Sequence, residues 1–358
     1  MAANPFVFLD AQAPTMSLKN TLMAALLSGL ALSGLAQTPT MIDTHMHFQL
    51  APTRDLPGSL RSAVASMDKH GFRRSLLMPP PLVNATAKTY YDIDEVAFVT
   101  REFPDRFALL GGSRLNIMIH ETAPGAVDAQ LKARFRETAD AIVAAGAVGF
   151  GEIAIHHVSI PAMGAQHAYE TVPADHPLLL LLADLAAERD IPIDLHFDLV
   201  PETIPLPDEL KPNPLNPPKL EANADAFKRL LAHNPKAKII WSHVGFEPLL
   251  SRQPNRVATL LEAFPNLYMS FRLNRGSPKP AAAMDMEGKL KPQWVALVSR
   301  FPDRFMLGSD SFYDRDGIAR GSSEDGLKNL VVLINALPEP AKTAVASGNA
   351  IRLYKLRP

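Results

Sequence analysis

The chain contains no cysteine at all. That removes disulfide scaffolds, thiolate zinc sites, cysteine nucleophiles and thioether-lipidated lipoproteins together. It also has little net charge, with 36 Lys+Arg against 37 Asp+Glu for a formal value of -1. No global basic field exists to neutralise phosphates, so nucleic acid is not an expected partner. Aromatic residues are sparse at 7%, yet 47% of the chain is hydrophobic, enough to bury a sizeable core and to argue against global disorder. Proline is what the chain has in excess: 32 of 358 residues, about 9% against a usual 5% or so.

Long hydrophobic runs are missing too, apart from one near the N-terminus. From Met16 the chain carries a single Lys and then an apolar stretch from Leu22 to Leu35, followed by Ala36 and Gln37. This is the layout of a secretory signal peptide with cleavage after Ala36. The stretch is shorter than the roughly 20 residues a membrane-spanning helix needs. Residues 1–36 are therefore read as an upstream extension plus signal peptide, with translation starting at Met1 or Met16. The mature protein is expected to be exported, periplasmic or secreted, with no stable membrane span after processing.

The remainder alternates strand and helix. Strands are predicted to begin near Met41, Arg74, Phe107, Ala147, Ile191, Lys238, Leu267 and Phe305, at a mean spacing of roughly 38 residues that suits βαβ units. Helices are predicted over 60–70, 93–103, 126–145, 178–189, 224–233, 256–264, 294–301 and 324–337. Eight such units over residues 41–356 make a single-domain (β/α)8 barrel, an α/β fold. Three segments repeat one device: Phe103-Pro104-Asp105, Phe264-Pro265-Asn266 and Phe301-Pro302-Asp303 each end a helix and launch a strand. Much of the remaining proline lies in 201–218, read as either a lid over a site or a plain insertion.

The chemistry-bearing residues close the strands. His45 and His47, two apart on strand one, point to one face. His196 ends strand five, His243 strand six and Asp310 strand eight, while Glu152 closes an apolar run on strand four. In a barrel these ends ring one mouth. Imidazole and carboxylate donors there suit a divalent cation, zinc foremost, with Mn2+ or Fe2+ also open. Glu152 is a direct ligand or an outer partner, and Asp43 a deeper structural or outer partner. Arg114, Arg272, Tyr313 and His156 are candidate substrate-binding residues at the mouth, His157 beside the last, and the substrate is expected to be a small molecule. The reading leaves a homo-oligomer open.

His45-Met46-His47, His196, Trp241-Ser242-His243-Val244-Gly245, Phe305-Met306-Leu307-Gly308-Ser309-Asp310 and the closing 347–356 together resemble the amidohydrolase superfamily, in its amidohydrolase-related (amidohydrolase 2) branch of barrel hydrolases. The likeness spans 41–356. It implies that His45, His47 and His196 bind metal and that Asp310 holds the metal and shuttles a proton. It makes His243 a ligand to a second metal or a group that polarises a carbonyl. Glu152 stands where other branches carry a modified Lys, which leaves one or two metals open; Gly151-Glu152-Ile153 also resembles the metal-dependent deoxyribonuclease branch. The implied activity is hydrolysis of a C–O or C–N bond in a lactone, ester or amide. The alternative is non-oxidative decarboxylation of a small carboxylic acid.

Overall fold

The computed structural model describes residue 1 and residues 39–161, 167–246, 248–273, 281–319 and 326–357. The expected signal peptide lies outside them. No helix among the described residues is long and apolar enough to cross a membrane.

Eight strands form the frame: β1 (Met41–Phe48), β2 (Phe72–Leu77), β3 (Phe107–Gly111), β4 (Ala147–His157), β5 (Ile193–Phe197), β6 (Ile239–Val244), β7 (Leu267–Phe271) and β8 (Phe305–Leu307). Each pairs in parallel with the next. β8 returns to β1, with Asp43 opposite Leu307, and closes the ring. Such strands are buried on both faces and read as near-continuous apolar runs, which is why their starts are visible in the sequence. All eight begin within two residues of the predicted positions. The architecture is the (β/α)8 barrel that the spacing predicts.

Helices cover the outside, and their ends explain much of the proline. Those at Leu56–His70, Pro177–Arg189, Pro254–Ala263 and Pro292–Arg300 each carry Pro in the first two positions, where the missing N–H would have had no helical partner. Asp55 caps the first by accepting from Gly58, and Asp128 caps Ala129–Ala144 by accepting from Leu131. The Phe-Pro-Asp/Asn device works as expected, with helices ending at Glu102, Ala263 and Arg300. The predicted helix over 93–103 is instead two short ones, Ile93–Val96 and Phe98–Glu102.

Apolar residues of five strands, Ile42, Leu76, Ala108, Ile240 and Met306, four of them second in their strands, pack with Leu353, Tyr354 and Leu356 of the C-terminal segment and plug the barrel floor. The mouth is thus the open end. The Pro-rich segment after β5 is a packed hairpin: Ile204–Pro205 pairs antiparallel with Lys219–Leu220. Its Leu206, Leu210 and Leu220 are buried against Val158, Val200 and Leu249. The Asn216 side chain bonds both the N–H and the carbonyl of Ser159 at 2.8 Å, fastening the hairpin to the segment after β4.

Candidate metal centre

At the mouth, His45, His47, Glu152, His196, His243 and Asp310 converge and are all buried. Glu152 reaches the centre because Gly151 lets β4 approach β5 closely: a Cβ at Gly151 would stand 2.7 Å from the Asp194 Cβ. Asp310 sits just past β8 in a left-handed conformation (φ 53°), its N–H donating to the His45 carbonyl at 2.9 Å. His243 is likewise left-handed (φ 66°) at the end of β6. Both are non-glycine residues in a sparsely populated region that surrounding structure must hold.

Glu152 divides the cluster into two sets. Its Oε2 lies 3.4 Å from the Nε2 atoms of both His45 and His47, which are 3.0 Å apart and 3.6 and 3.3 Å from Asp310 Oδ1. Its Oε1 lies 2.9 Å from His196 Nδ1 and 3.0 Å from His243 Nε2, which are 3.1 Å apart.

These distances test the fit of a cation. Bonds of about 2.0–2.2 Å to a tetrahedral centre place neighbouring donors about 3.3–3.6 Å apart, close to most edges of the first set, while an octahedral centre places them about 2.8–3.0 Å apart, close to the 2.9, 3.0 and 3.1 Å edges of the second. The donor chemistry agrees. His47 Nδ1 donates to the Met78 carbonyl at 3.0 Å, and His45 Nδ1 faces Asp194 Oδ1 at 3.1 Å. With each Nδ1 turned to an oxygen, the two Nε2 atoms converge on one point, where a proton or a cation can lie between them. Four residues, His45, Glu152, His243 and Asp310, each offer a ligand atom within 4.8 Å of one another.

Electrostatics point the same way. Burial alone would depress the His45 imidazole, but the Asp194 and Glu152 carboxylates raise it well above its ordinary value. Burial is likewise outweighed at His196, which Asp198 and Glu152 push up to about 9. Glu152, despite its burial, is held well below the usual carboxylate range by His45, His196 and His243. Asp310 is held low against burial by Arg272 and His243. Burial lowers the His243 imidazole to about 4.

The remaining predicted residues divide. Arg272 belongs to the site, with Nη1 2.8 Å from Asp310 Oδ2 and its guanidinium 4.2 Å from the centroid of the Phe246 ring. Arg114 is instead engaged by Asp92 and Asp94 at 3.4 and 2.9 Å. Tyr313 turns outward and meets Ser66 on the first helix at 3.2 Å. Ser311–Asp314 continues along β1 as a strand, and side chains alternate across it, so Phe312 faces the site and stacks on His47 at 4.4 Å. His156 bonds the Asp198 carbonyl at 2.6 Å, whereas His157 lies against the metal cluster, its ring 4.6 Å from that of His196.

Sequence reasoning missed Asp194 as the partner of His45. Its signal was present, because Asp194 precedes His196 by two on β5 and so shares its face one layer deeper. Ser242 donates to the same Asp194 oxygen at 2.5 Å. Carboxylates behind ligating imidazoles set ring orientation and basicity, and their loss costs 10- to 100-fold in metal affinity. Asp194→Asn is accordingly expected to weaken metal binding by roughly that factor, read by competition with a chromophoric chelator. Unchanged affinity would remove Asp194 from the site. Asp43 takes the structural role expected of it, accepting from the N–H and hydroxyl of Ser309 at 2.8 and 2.7 Å and so joining β1 to β8.

Near the mouth, Glu170 sits opposite His157 in a short antiparallel pair with β4 and is only 9% exposed. Burial pushes its carboxyl up to about 7. A raised acid binds its proton more tightly in the folded state, so stability falls as pH rises from the unfolded value toward 7. Glu170→Gln should therefore raise the melting temperature of metal-free protein at pH 8, by the equivalent of at most about 3 kcal/mol, and leave it nearly unchanged at pH 4.5. Equal shifts at both pH values would contradict this.

The chain was compared with known proteins. A family model described as amidohydrolase matches residues 42–356. A search of curated proteins by sequence gave no match. Among solved structures, a dihydroxybenzoic acid decarboxylase from Polaromonas sp. JS666, with bound manganese and the inhibitor 2-nitroresorcinol, superposes with a TM-score of 0.51 at 15% identity. It covers 89% of this chain and 97% of its own. A 2,6-dihydroxybenzoate decarboxylase bound to 2,6-dihydroxybenzoate gives 0.50 at 15% identity, covering 89% and 100%. At such identities these likenesses establish the shared fold. With the family model spanning nearly the whole barrel, this chain belongs to the amidohydrolase family.

Proposed function

We propose that the protein is a two-cation, metal-dependent hydrolase of a C–O or C–N bond in a small lactone, ester or amide. The observation that carries this is the division of Glu152, one oxygen toward His45, His47 and Asp310 and the other toward His196 and His243. His45, His47 and Asp310 would hold one cation, His196 and His243 the other, and Glu152 both. Zinc fits the nitrogen and oxygen donors best, with Mn2+ or Fe2+ as alternatives. When bound, such a cation supplies Lewis acidity, lowering the pKa of a water from 15.7 toward about 7 and polarising a carbonyl. Asp310 takes the proton of the attacking water and returns it to the leaving group. Arg272 fixes the Asp310 carboxylate, while Phe312 and His157 pack on the His47 and His196 rings.

The second reading, decarboxylation of a small carboxylic acid, is favoured by the two decarboxylases of like fold. One experiment separates the two. Metal-loaded protein is assayed on lactones, esters, amides and carboxylic acids, with and without chelator, in 18O-labelled water. Chelator-sensitive organic product carrying 18O supports the hydrolase, and release of carbon dioxide with an organic product free of label establishes the lyase. Metal content below about half an equivalent after expression in metal-supplemented medium would overturn both. Export rests on the 16–36 pattern alone and belongs with this proposal.

A further inference from the structure

A guanidinium lies behind the His196 and His243 pair. Arg252, in the loop after β6, is 1% exposed. Its Nη1 donates to the carbonyls of His243 and Phe246, both at 3.2 Å; its Nη2 donates to the Phe197 carbonyl at 2.6 Å and to Asp198 Oδ1 at 3.2 Å. Its Cζ is 5.2 Å from the centroid of the Trp241 ring, whose Nε1–H shares the Phe197 carbonyl at 2.7 Å. Asp198 extends the contact: its Oδ2 accepts the Val158 N–H at 2.8 Å and lies 3.6 Å from His196 Nε2.

Burying a guanidinium is costly unless its donors are matched. Here a planar fork meets three carbonyls and a carboxylate from the ends of two neighbouring strands, which a flexible ammonium could not span. Two consequences follow. The carbonyl of His243, whose left-handed backbone needs external support, is pinned, so the ring that this backbone aims is pinned with it. Through Asp198 the same fork steadies the His196 imidazole from its far side. Both histidines belong to the Oε1 set of Glu152, and none of these bonds goes to His45, His47 or Asp310.

We propose that Arg252, acting through Asp198 and the His243 carbonyl, is the positioning residue of the second cation seat and leaves the first seat independent. This rests on the two-cation reading above, and the test keeps the two apart. Chelator-stripped protein is titrated calorimetrically with Zn2+, with bound metal measured in parallel. Wild type is expected to take up two equivalents; uptake of only one overturns the two-cation reading and this inference with it. With two bound by wild type, Arg252→Met should weaken one equivalent at least tenfold and leave the other within about twofold. Arg252→Lys, which keeps the charge without the fork, should rescue only partly, and Asp198→Asn should weaken the same single equivalent. Wild-type uptake of both equivalents by Arg252→Met, or equal loss of both, would overturn the inference, the latter because it marks a merely structural role. Should Arg252→Met fail to fold, Asp198→Asn, close to its parent in shape, decides by the same criteria.

Discussion

Asp310→Asn is expected to lower kcat by about a thousandfold, within the range assigned to a positioned acid–base group and equivalent to about 4 kcal/mol of barrier, while metal content stays near that of wild type. The asymmetry follows from the two oxygens of Asp310. Oδ1 faces the Nε2 atoms of His45 and His47, and Oδ2 meets Arg272 and, at 4.0 Å, His243 Nδ1. Asn can keep one oxygen toward the first seat and fits the same left-handed backbone, which it tolerates well. What it cannot do is accept and return a proton. The decisive pair of measurements is turnover against metal content on one preparation. Activity within tenfold of wild type, at equal metal content, would assign the proton transfer elsewhere.

Glu152→Gln should have an effect as large on activity and larger on metal. An amide offers one oxygen where the carboxylate offers two, and its NH2, by donating to ring nitrogens, would occupy lone pairs that a cation needs. Four imidazoles lie within 3.4 Å of the Glu152 oxygens, so the substitution removes the one negative charge common to both sets. Metal content is expected to fall by at least one equivalent per chain and turnover by about a thousandfold or more. A variant that retained both equivalents would show that Glu152 is an outer partner, and the two seats would no longer be linked.

The strand ends were legible because each ligand interrupts an apolar run at the point where a buried parallel strand meets the mouth. His45, His196, His243 and Asp310 announce themselves in this way. Residues acting through others did not. Asp194 looks like an ordinary polar residue inside β5 until His45, almost 150 positions earlier in sequence, is known to face it. Arg252 lies in a loop, and its partners come from the ends of β5 and β6. That Phe312 rather than Tyr313, and His157 rather than its fellow candidate His156, meets the cluster has one origin: strand structure continues past the expected ends of β8 and along β4, and alternation then decides which neighbour faces inward. The proline-rich segment was ambiguous because composition shows that it cannot be helical, yet does not show that Leu206, Leu210 and Leu220 find a common apolar bed.

The seam between β1 and β8 ties the first metal seat to closure of the ring. Thr44 Oγ1 donates to the Leu307 carbonyl at 2.8 Å, and Ser309 is bonded to Asp43, across 263 and 266 residues of chain. Contacts at such separation carry a loop-closure cost that local contacts do not. His45 and His47 come from the first strand and Asp310 from just past the last, so the first seat exists only once the ring is shut. A cation held there would favour the closed ring over the open chain by mass action, acting as a latch on the seam.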